Sequence, residues 1–204
     1  MRLILVRHGQ SEGNAAFVVQ GRKDFSLSEL GRRQAHLTAE RLADVPVDRM
    51  LSSPLLRAAE TASIIAGRVG IAWDPAPDLL EYDVGEVSGL TGAEIRERFP
   101  EVMAQYATGR RPIFPGAEGR DTFYARLRGF LDRSREQDGT TVAVAHGGVI
   151  GALCYAALGV DYTRPGIFQS ANCSLTEITL DRGGRYVLAR HNDTCHLRGL
   201  SLNG

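Results

Sequence analysis

Apolar residues form short, uninterrupted runs at several places along the chain. Residues 3–6 (LILV) and 142–145 (VAVA) are continuous apolar stretches with polar residues on both sides. Such runs are typical of strands that are buried on both faces of a parallel sheet. Residues 49–52 (RMLS) form a further strand candidate between them. These segments predict the interior of a mostly parallel sheet.

A helix is predicted over residues 28–43, after the first of these strands. Ser26 and Glu29 stand at the spacing of a capping box, which indicates where the helix is entered. Apolar residues then recur on one helical face, as expected for a helix that packs on a sheet. The residues predicted to face inward are Leu30, Leu37 and Leu42.

Two further helices are predicted directly after strands. Ser53 is placed as the N-cap of the first, with Pro54 at its first helical position and its end near Gly67 or Gly70. The second covers the apolar residues 147–158, where glycines would allow close packing against the sheet. Strand, turn and helix therefore alternate along the chain.

The tail and the middle of the chain complete the predicted architecture. Residues 174–180 and 185–190 flank a turn and predict a hairpin at one sheet edge. Residues 82–119 are richer in Gly and Pro, and we expect them to form an excursion that covers the site. The prediction is a three-layer α/β/α sandwich with a mostly parallel sheet, in one domain over residues 1–204, with ligands beyond the carboxyl ends of the strands.

Composition and charge narrow the classes of function. Apolar residues make up 43% of the 204 residues and charged residues 24%, the balance of a globular protein. Twenty-four basic residues match twenty-four acidic ones, so no overall field attracts nucleic acid. The apolar start MRLILV is too short for a signal-peptide core, and no run is long enough to span a bilayer. We expect a cytoplasmic protein without nucleic-acid or membrane partners.

Three cysteines, Cys154, Cys173 and Cys195, lie far apart and form no CxxC pair. This spacing predicts neither a disulfide framework nor a zinc site. We interpret all three as buried apolar residues. The sequence gives no indication of a metal or another cofactor.

Two arginines and two histidines follow the predicted strands. Arg7 and His8 come directly after the first strand, His146 follows another, and Arg57 lies in the first turn of a helix. The carboxyl ends of parallel strands meet at one edge of a sheet, so we expect these side chains to converge. A guanidinium group can donate two parallel hydrogen bonds to two oxygens of a phosphoryl group. Backbone N–H groups at a glycine-rich helix start add further donors. Together they predict a cradle for a phosphoryl group.

The histidines would supply the chemistry of this cradle. A neutral imidazole is a good nucleophile near neutral pH, which makes His8 the candidate acceptor of the phosphoryl group. His146 would donate to the phosphoryl oxygens and stabilise the transition state. The leaving oxygen needs a proton, and chemistry alone does not choose among several carboxyl groups. The candidates are Glu81, Asp83, Glu86, Glu94 and Glu118.

The same residues fit three other interpretations. The histidines could be metal ligands, but two neighbouring arginines would repel the cation. HGG at residues 146–148 resembles the oxyanion loop of an α/β-hydrolase, yet the chain lacks the GxSxG elbow that this fold requires. A binding module that recognises a phosphorylated partner without turnover is the third alternative.

Whole segments resemble the histidine phosphatase superfamily, which includes cofactor-dependent phosphoglycerate mutases and fructose-2,6-bisphosphatase. The resemblance covers nearly the whole chain, and its segments are VRHGQSEGN, LSELGRRQA, SSPLLRAAETA, LEYDVGEVSGLT and VAHGGVI. It implies a phosphoglycerate mutase-like fold. It also implies a metal-independent phosphomonoesterase of the histidine acid phosphatase type, acting on a small phosphorylated metabolite through a phosphohistidine.

The resemblance also implies roles for individual residues, and it places the proton donor on Glu81. The implied catalytic residues are His8, Glu81, His146, Arg7 and Arg57. The implied phosphate-binding and substrate-binding residues are Arg7, Asn14, Gln20, Gly21, Arg57, His146 and Gly147. Gly119 departs from the pattern, because many relatives carry serine there and a phosphate contact from that position is therefore not expected.

Phosphatase and mutase differ in what reaches the phosphorylated His8. Water gives hydrolysis, whereas a retained phosphoglycerate gives isomerisation. The mutases that the chain resembles carry a longer insertion between the acid-bearing segment and the second histidine. Here Glu81 and His146 are only 65 positions apart, and by this resemblance we expect an open pocket and a phosphatase. GRRPIFP at residues 109–115 resembles the arginine pair of the mutases, and Arg110 or Arg111 would then hold a substrate carboxylate. The mutase stays an alternative, and a homodimer is left open.

Overall fold

The structure is a computed structural model that describes residues 1–108, 111–162 and 166–200, except the side chain of Tyr106. Within these ranges a central sheet and a small two-stranded sheet are formed. The strands are β1 (Arg2–Arg7), β2 (Val18–Val19), β3 (Arg49–Ser52), β4 (Trp73–Pro75), β5 (Leu90–Thr91), β6 (Thr140–Ala145), β7 (Leu175–Leu180) and β8 (Tyr186–Asp193).

Helices connect most of these strands. They are α1 (Glu12–Ala15), α2 (Glu29–Leu42), α3 (Leu56–Val69), α4 (Gly92–Arg98), α5 (Pro100–Ala107), α6 (Arg120–Arg135) and α7 (Gly147–Leu158). Short 3₁₀ turns cover Pro77–Leu79, Gly85–Val87 and Cys195–Leu197. Within the described ranges, no helix is long and apolar enough to cross a membrane.

The central sheet has the strand order β4-β3-β6-β1-β7-β8. The first four strands in this order are parallel, and β7 and β8 are antiparallel to their neighbours. The three predicted interior strands and the edge hairpin are therefore confirmed. The short strand β4 was not predicted, because WDP carries little strand signal and pairs only along β3.

Helices cover both faces of the sheet, which confirms the three-layer sandwich. On one face α2 and α3 pack through Leu42 and Ile65 against Ile4 and Val6 of β1. On the other face α6 and α7 pack against the alternate side chains of the same strand. The continuous apolar runs exist because each of these strands contacts a core on both sides.

The strands β1 and β6 are neighbours, and the chain leaves them toward opposite faces of the sheet. The helix after β1 lies on one face and the helix after β6 on the other. Such a switch point opens a crevice beyond the carboxyl ends of the two strands. The N–H of His8 donates to the carbonyl of Ala145 at 2.9 Å, which places His8 and His146 side by side at this crevice.

The helix α2 begins differently from the prediction. Ser28, not Ser26, is the N-cap, and its Oγ accepts a hydrogen bond from the N–H of Gly31. Leu42 is buried, but Leu37 is 36% exposed, so its predicted inward position is wrong. The buried face carries smaller or polar residues that allow a close approach to the sheet and α3, namely Gly31, Gln34, Ala35, Thr38 and Ala39.

The start of α3 was also predicted wrongly. Leu55 is the N-cap and makes no side-chain capping bond, and the helix begins at Leu56. The N–H of Leu56 instead donates to Oδ1 of Asp24 at 2.8 Å, so a distant residue satisfies the free end of the helix. The predicted end is confirmed, because Gly70 takes the left-handed conformation with φ +79°.

The glycines of α7 and the third cysteine have other surroundings than expected. The first two glycines lie against the side chains of Arg7 and Glu81, not against the sheet. Cys154 and Cys173 are buried, as predicted, but Cys195 is exposed. The 3₁₀ turn that begins at Cys195 directs its last residue, Leu197, into the core instead.

Residues 82–119 are less irregular than their composition suggests. They contain β5, α4 and α5, and β5 pairs with β2 in the small sheet. Apolar side chains of this segment form a cluster of their own, which includes Val84, Val87, Ile95 and Val102.

Candidate active site

A cavity of about 610 Å³ lies at the crevice between the ends of β1 and β6. Most residues that the sequence analysis selected line it, and they are Arg7, His8, Asn14, Gln20, Gly21, Arg57, Glu81 and Gly147. His146 does not line the cavity. Its ring is fully buried, with its centroid 5.2 Å from that of His8.

Hydrogen bonding fixes which nitrogen of His8 is free. Nδ1 lies 2.7 Å from the carbonyl oxygen of Gly9. A carbonyl only accepts, so Nδ1 carries the proton and Nε2 keeps its lone pair. Burial, followed by the charges of Arg57 and Arg7, lowers the pKa of His8 well below 6.5. His8 is thus a neutral imidazole with a free nucleophilic nitrogen.

We assign His146 the same tautomer as His8, with the proton on Nδ1. Nε2 of His146 lies 2.7 Å from Oγ of Ser53, and the same Oγ accepts the N–H of Leu55 at 3.4 Å. The Ser53 hydroxyl is therefore free to donate to Nε2, which leaves the proton of the neutral ring on Nδ1. Burial, followed by the nearby His8 and Arg57, lowers the pKa of His146 well below 6.5. The Nδ1–H is buried and has no partner among the described residues.

Two buried guanidinium groups flank His8. Arg7 donates to the carbonyl of Ser170 at 2.5 Å, and Arg57 donates to the carbonyls of Gly21 at 2.8 Å and Lys23 at 3.0 Å. Burial lowers the pKa of both arginines, yet guanidinium groups stay charged in proteins. The Nε–H of each is buried without a partner among the described residues.

Glu81 is the carboxylate that faces these groups. Its Oε1 accepts the N–H of Tyr82 at 2.8 Å and its Oε2 accepts the N–H of Gly148 at 3.1 Å. Its charge acts on both Arg7 and Arg57 and opposes the lowering of their pKa. Of the five carboxyl groups that the sequence left open, it is the one that lines the cavity.

The model of the histidine phosphatase superfamily (branch 1) matches residues 3–194. The chain belongs to the histidine phosphatase superfamily. The resemblance of its motifs and the predicted fold are both confirmed by this match and by solved structures of similar shape.

Relatives within the superfamily include phosphatases and a probable mutase. The chain is 36% identical over 200 residues to phosphoserine phosphatase 1 of Hydrogenobacter thermophilus, covering 97% of this chain and 94% of the relative. It is 31% identical over 208 residues to a Yersinia pestis protein named "Probable phosphoglycerate mutase GpmB", covering 97% and 95%. A mycobacterial glucosyl-3-phosphoglycerate phosphatase, solved with VO3, superimposes with a TM-score of 0.85 at 32% identity and covers 95% of this chain and 99% of its own.

Three further predicted contacts of this superfamily site, Asn14, Gln20 and Gly21, lie along one short stretch. Asn14 accepts from the N–H and the hydroxyl of Ser11 in a capping box, and Gln20 accepts from the same hydroxyl at 2.8 Å. Gly21 has φ +52°, a left-handed conformation that favours glycine, and its carbonyl points to Arg57. Their side chains and backbone therefore form the wall beside the two arginines.

The supporting roles of two residues, Ser53 and Asn172, were not predicted from the sequence. Ser53 was read as a helix cap but pairs with His146. Asn172 donates from Nδ2 to the carbonyl of His8 at 2.9 Å and to Oδ1 of Asn14 at 3.3 Å. No local pattern marks these residues, because each acts across the fold on a partner distant in sequence.

The far wall of the cavity combines aromatic rings with two cations. The aromatic residues are Tyr82, Phe114, Phe123, Tyr162 and Phe168. The guanidinium of Arg111 lies 4.6 Å from the centroid of the Tyr162 ring, and Arg120 donates to the carbonyl of Arg111 at 3.2 Å. Neither arginine forms an ion pair within the part of the chain that the structure describes. Arg110, the other predicted carboxylate ligand, lies outside the described residues.

Proposed function

We propose that this protein is a phosphomonoesterase that transfers the phosphoryl group of a small metabolite to Nε2 of His8 and then to water. The observation that carries the proposal is a set of three buried N–H groups around His8, on Arg7, Arg57 and His146, which have no partner among the described residues. A buried donor without a partner costs about 1–3 kcal/mol, and a phosphoryl group has the oxygens to satisfy all three. Two of the three also carry the charge that a phosphate dianion requires.

In the first step, the lone pair of His8 Nε2 attacks phosphorus in line with the leaving oxygen. The P–N bond forms while the bond between phosphorus and the leaving oxygen breaks. The protonated carboxyl of Glu81 gives its proton to the leaving oxygen, so an alcohol departs. The two guanidinium groups and Nδ1–H of His146 bind the equatorial oxygens, where negative charge is held in the transition state.

In the second step, water attacks the phosphohistidine from the side that the alcohol has left. Glu81, now a carboxylate, takes a proton from this water. The P–N bond breaks and returns its electron pair to Nε2 of His8. Inorganic phosphate leaves, and Glu81 is again protonated for the next turnover.

The charge for this chemistry comes from the chain, and we propose that no metal is needed. Nδ1 of His8 and Nε2 of His146 are already committed to Gly9 and Ser53. A divalent cation beside the guanidinium groups of Arg7 and Arg57 would be repelled. Activity is therefore expected to be unchanged by EDTA.

The far wall supports a substrate with a second anionic group. Arg111 and Arg120 line the cavity without a carboxylate partner among the described residues, and they lie beside the aromatic residues next to Glu81. Phosphoserine and glucosyl-3-phosphoglycerate, named in two relatives, each carry a carboxylate close to the phosphate ester. We propose that a carboxylate on the alcohol portion of the substrate binds Arg111 and Arg120.

We propose the domain organisation that the sequence predicts. Residues 1–204 would form one domain, with residues 82–119 as the cover of the cavity, to which they contribute Tyr82, Val84 and Phe114. Cytoplasmic location and a homodimer also stay predictions.

Trapping of the intermediate tests the proposal. Enzyme mixed with ³²P-labelled substrate and quenched within milliseconds should carry label that is stable in base and lost in acid, as expected for a phosphohistidine. The His8→Ala variant should carry none. Label retained by His8→Ala in a folded protein would place the nucleophile elsewhere. Binding of phosphate without any turnover of a panel of esters would favour the binding module.

The mutase is the second candidate because of the Yersinia pestis relative. Incubation with 3-phosphoglycerate, with and without 2,3-bisphosphoglycerate, distinguishes the two when phosphorus NMR follows the products. We expect inorganic phosphate from at least one small ester in a wider panel and no accumulation of 2-phosphoglycerate. Rapid bisphosphoglycerate-dependent formation of 2-phosphoglycerate would assign the mutase reaction and leave the phosphohistidine step intact.

A further inference from the structure

Three charged side chains hold the segment that carries Glu81. We propose that Arg22, Glu118 and Arg126 are positioning residues that fix Glu81 for proton transfer to the leaving oxygen. We call this trio the charged clamp. The inference rests on the proposed role of Glu81, and it concerns residues that do not themselves line the cavity.

Glu81 lies in a stretch without helix or strand. The nearest regular element is the 3₁₀ turn Pro77–Leu79, and the following residues form no ladder with a neighbouring strand. A carboxyl that must reach a leaving oxygen needs a fixed backbone, because errors of about 1 Å in position cost large factors in rate. Other groups must therefore supply what a helix or strand would otherwise provide.

The clamp supplies these contacts at several backbone groups in a row. Arg126 donates to the carbonyls of Asp78 at 2.5 Å and Leu80 at 2.8 Å. Nε of Arg22 donates to the carbonyl of Glu81 itself at 3.2 Å. The N–H of Asp83 donates to Oε1 of Glu118 at 2.9 Å, and the N–H of Glu118 donates to the carbonyl of Asp83 at 3.1 Å. Glu81 is thus fixed on both sides.

Glu118 joins the two arginines. Its carboxylate lies 3.0 Å from Arg22 and 3.1 Å from Arg126, and its side chain is only 13% exposed. This partly buried carboxylate lies between the guanidinium groups of Arg22 and Arg126 and keeps both groups oriented. Glu118, one of the five carboxyl groups left open by the sequence, is held by these pairs away from the cavity lining.

The clamp is continuous with the phosphate cradle. Arg57 donates to the carbonyls of Gly21 and Lys23, the residues on either side of Arg22. The same arginine that is proposed to bind the phosphoryl group therefore holds the loop from which Arg22 reaches Glu81. Phosphate site and proton donor are connected through one residue of this loop.

Two aromatic esters separate positioning of the acid from general damage. Phenyl phosphate and p-nitrophenyl phosphate have similar shapes, but the phenolate needs a proton to leave far more than p-nitrophenolate does. We expect Glu81→Gln to lower kcat/KM about 100-fold for phenyl phosphate and less than tenfold for p-nitrophenyl phosphate. Arg126→Met should show the same selectivity, with a loss of about tenfold for phenyl phosphate.

A matched control and a second variant keep this test decisive. Arg128 lies exposed on the same helix, and Arg128→Met should leave both substrates unchanged. Glu118→Gln keeps an acceptor for the N–H of Asp83 while removing the charge that orients the arginines. It should show the selective loss even if Arg126→Met fails to fold.

The outcomes distinguish the role of the clamp from the acid role of Glu81. Adding Arg126→Met to Glu81→Gln should not lower kcat/KM for phenyl phosphate any further relative to p-nitrophenyl phosphate. Both substitutions impair the same proton transfer from Glu81 to the leaving oxygen. If Glu81→Gln shows the selectivity but Arg126→Met and Glu118→Gln lower both substrates equally, or neither, the clamp is refuted and the acid role of Glu81 stands. If Glu81→Gln itself shows no selectivity, the acid role fails and the clamp with it.

Discussion

At the scale of single residues, the Ser53 hydroxyl is the partner through which we assign the tautomer of His146. Ser53 accepts the N–H of Leu55, and we assign its hydroxyl as the donor to Nε2 of His146; in this arrangement Nδ1 carries the proton of the neutral ring. A histidine in the other tautomer would present a lone pair to a phosphoryl oxygen and repel it. The proposed contribution of His146 therefore depends on a residue that does not touch the substrate.

Replacing this hydroxyl should impair catalysis more than stability. In Ser53→Ala the ring is free to take the other tautomer, and we expect kcat/KM for p-nitrophenyl phosphate to fall on the order of 100-fold. The control is Ser52→Ala, which removes an equally buried hydroxyl that bonds to the carbonyl of Ser53 and should change the rate less than threefold. Full activity of Ser53→Ala would show that the tautomer is set by other means.

Local sequence could reveal the reacting groups but not their supports. Arg7, His8 and His146 stand directly after apolar runs, and strand geometry predicts that they meet. Ser53 precedes a proline, a pattern that is also typical of a helix N-cap. The local pattern therefore predicted a capping role, whereas Leu55 is the N-cap. The choice of Glu81 needed the family resemblance, since the chain offers several carboxyl groups at similar positions.

At the scale of elements, the start of α7 is built around the proton donor. An added Cβ at Gly148 would collide with the carboxylate of Glu81, and the N–H of the same glycine donates to that carboxylate. A side chain at position 148 would therefore displace the carboxylate from this place. The sequence analysis explained the glycines of α7 by close packing on the sheet. Gly148 lies against Glu81 instead.

Gly148→Ala should displace the acid without unfolding the helix. We expect kcat/KM for phenyl phosphate to fall at least tenfold, with a smaller loss for p-nitrophenyl phosphate. Gly67→Ala in α3 is the matched control, since its Cβ would meet no atom within 4 Å. It should leave activity unchanged and raise the free energy of unfolding by about 0.5–1 kcal/mol. Equal losses for both esters in Gly148→Ala would indicate a general distortion.

Element boundaries were the least predictable part of the fold. Whether a segment is a strand or a helix follows from the spacing of its apolar residues, because these residues must face the core. The start of α3 does not, since Asp24 satisfies the N–H of Leu56 from a loop far away in sequence. Where a tertiary contact replaces a local cap, the local pattern contains no signal for it.

At the scale of the whole molecule, two buried neutral histidines make stability depend on pH. The pKa of His8 and of His146 lies well below 6.5 in the folded protein, whereas the unfolded chain protonates both near 6.5. Below pH 6.5 the unfolded chain therefore binds more protons. The free energy of unfolding should fall with falling pH, by up to about 1.4 kcal/mol per pH unit for each histidine, until the pH reaches the folded pKa values.

Urea denaturation between pH 7.5 and 5 measures this slope. The double variant His8→Asn and His146→Asn should lose stability less steeply over the same range. His36→Asn removes an exposed histidine and should retain the slope of the unmodified protein. An unchanged slope in the double variant would mean that other groups cause the acid sensitivity.

The position of β1 in the sheet has a consequence for the growing polypeptide on the ribosome. This strand lies between β6 and β7, both of which are synthesised much later. The apolar side chains of β1 and both of its hydrogen-bonding edges therefore stay without their partner strands until most of the chain has been synthesised. A translation product that stops before residue 140 keeps His8 but exposes two edges of an apolar strand, a template for aggregation and a substrate for proteolysis.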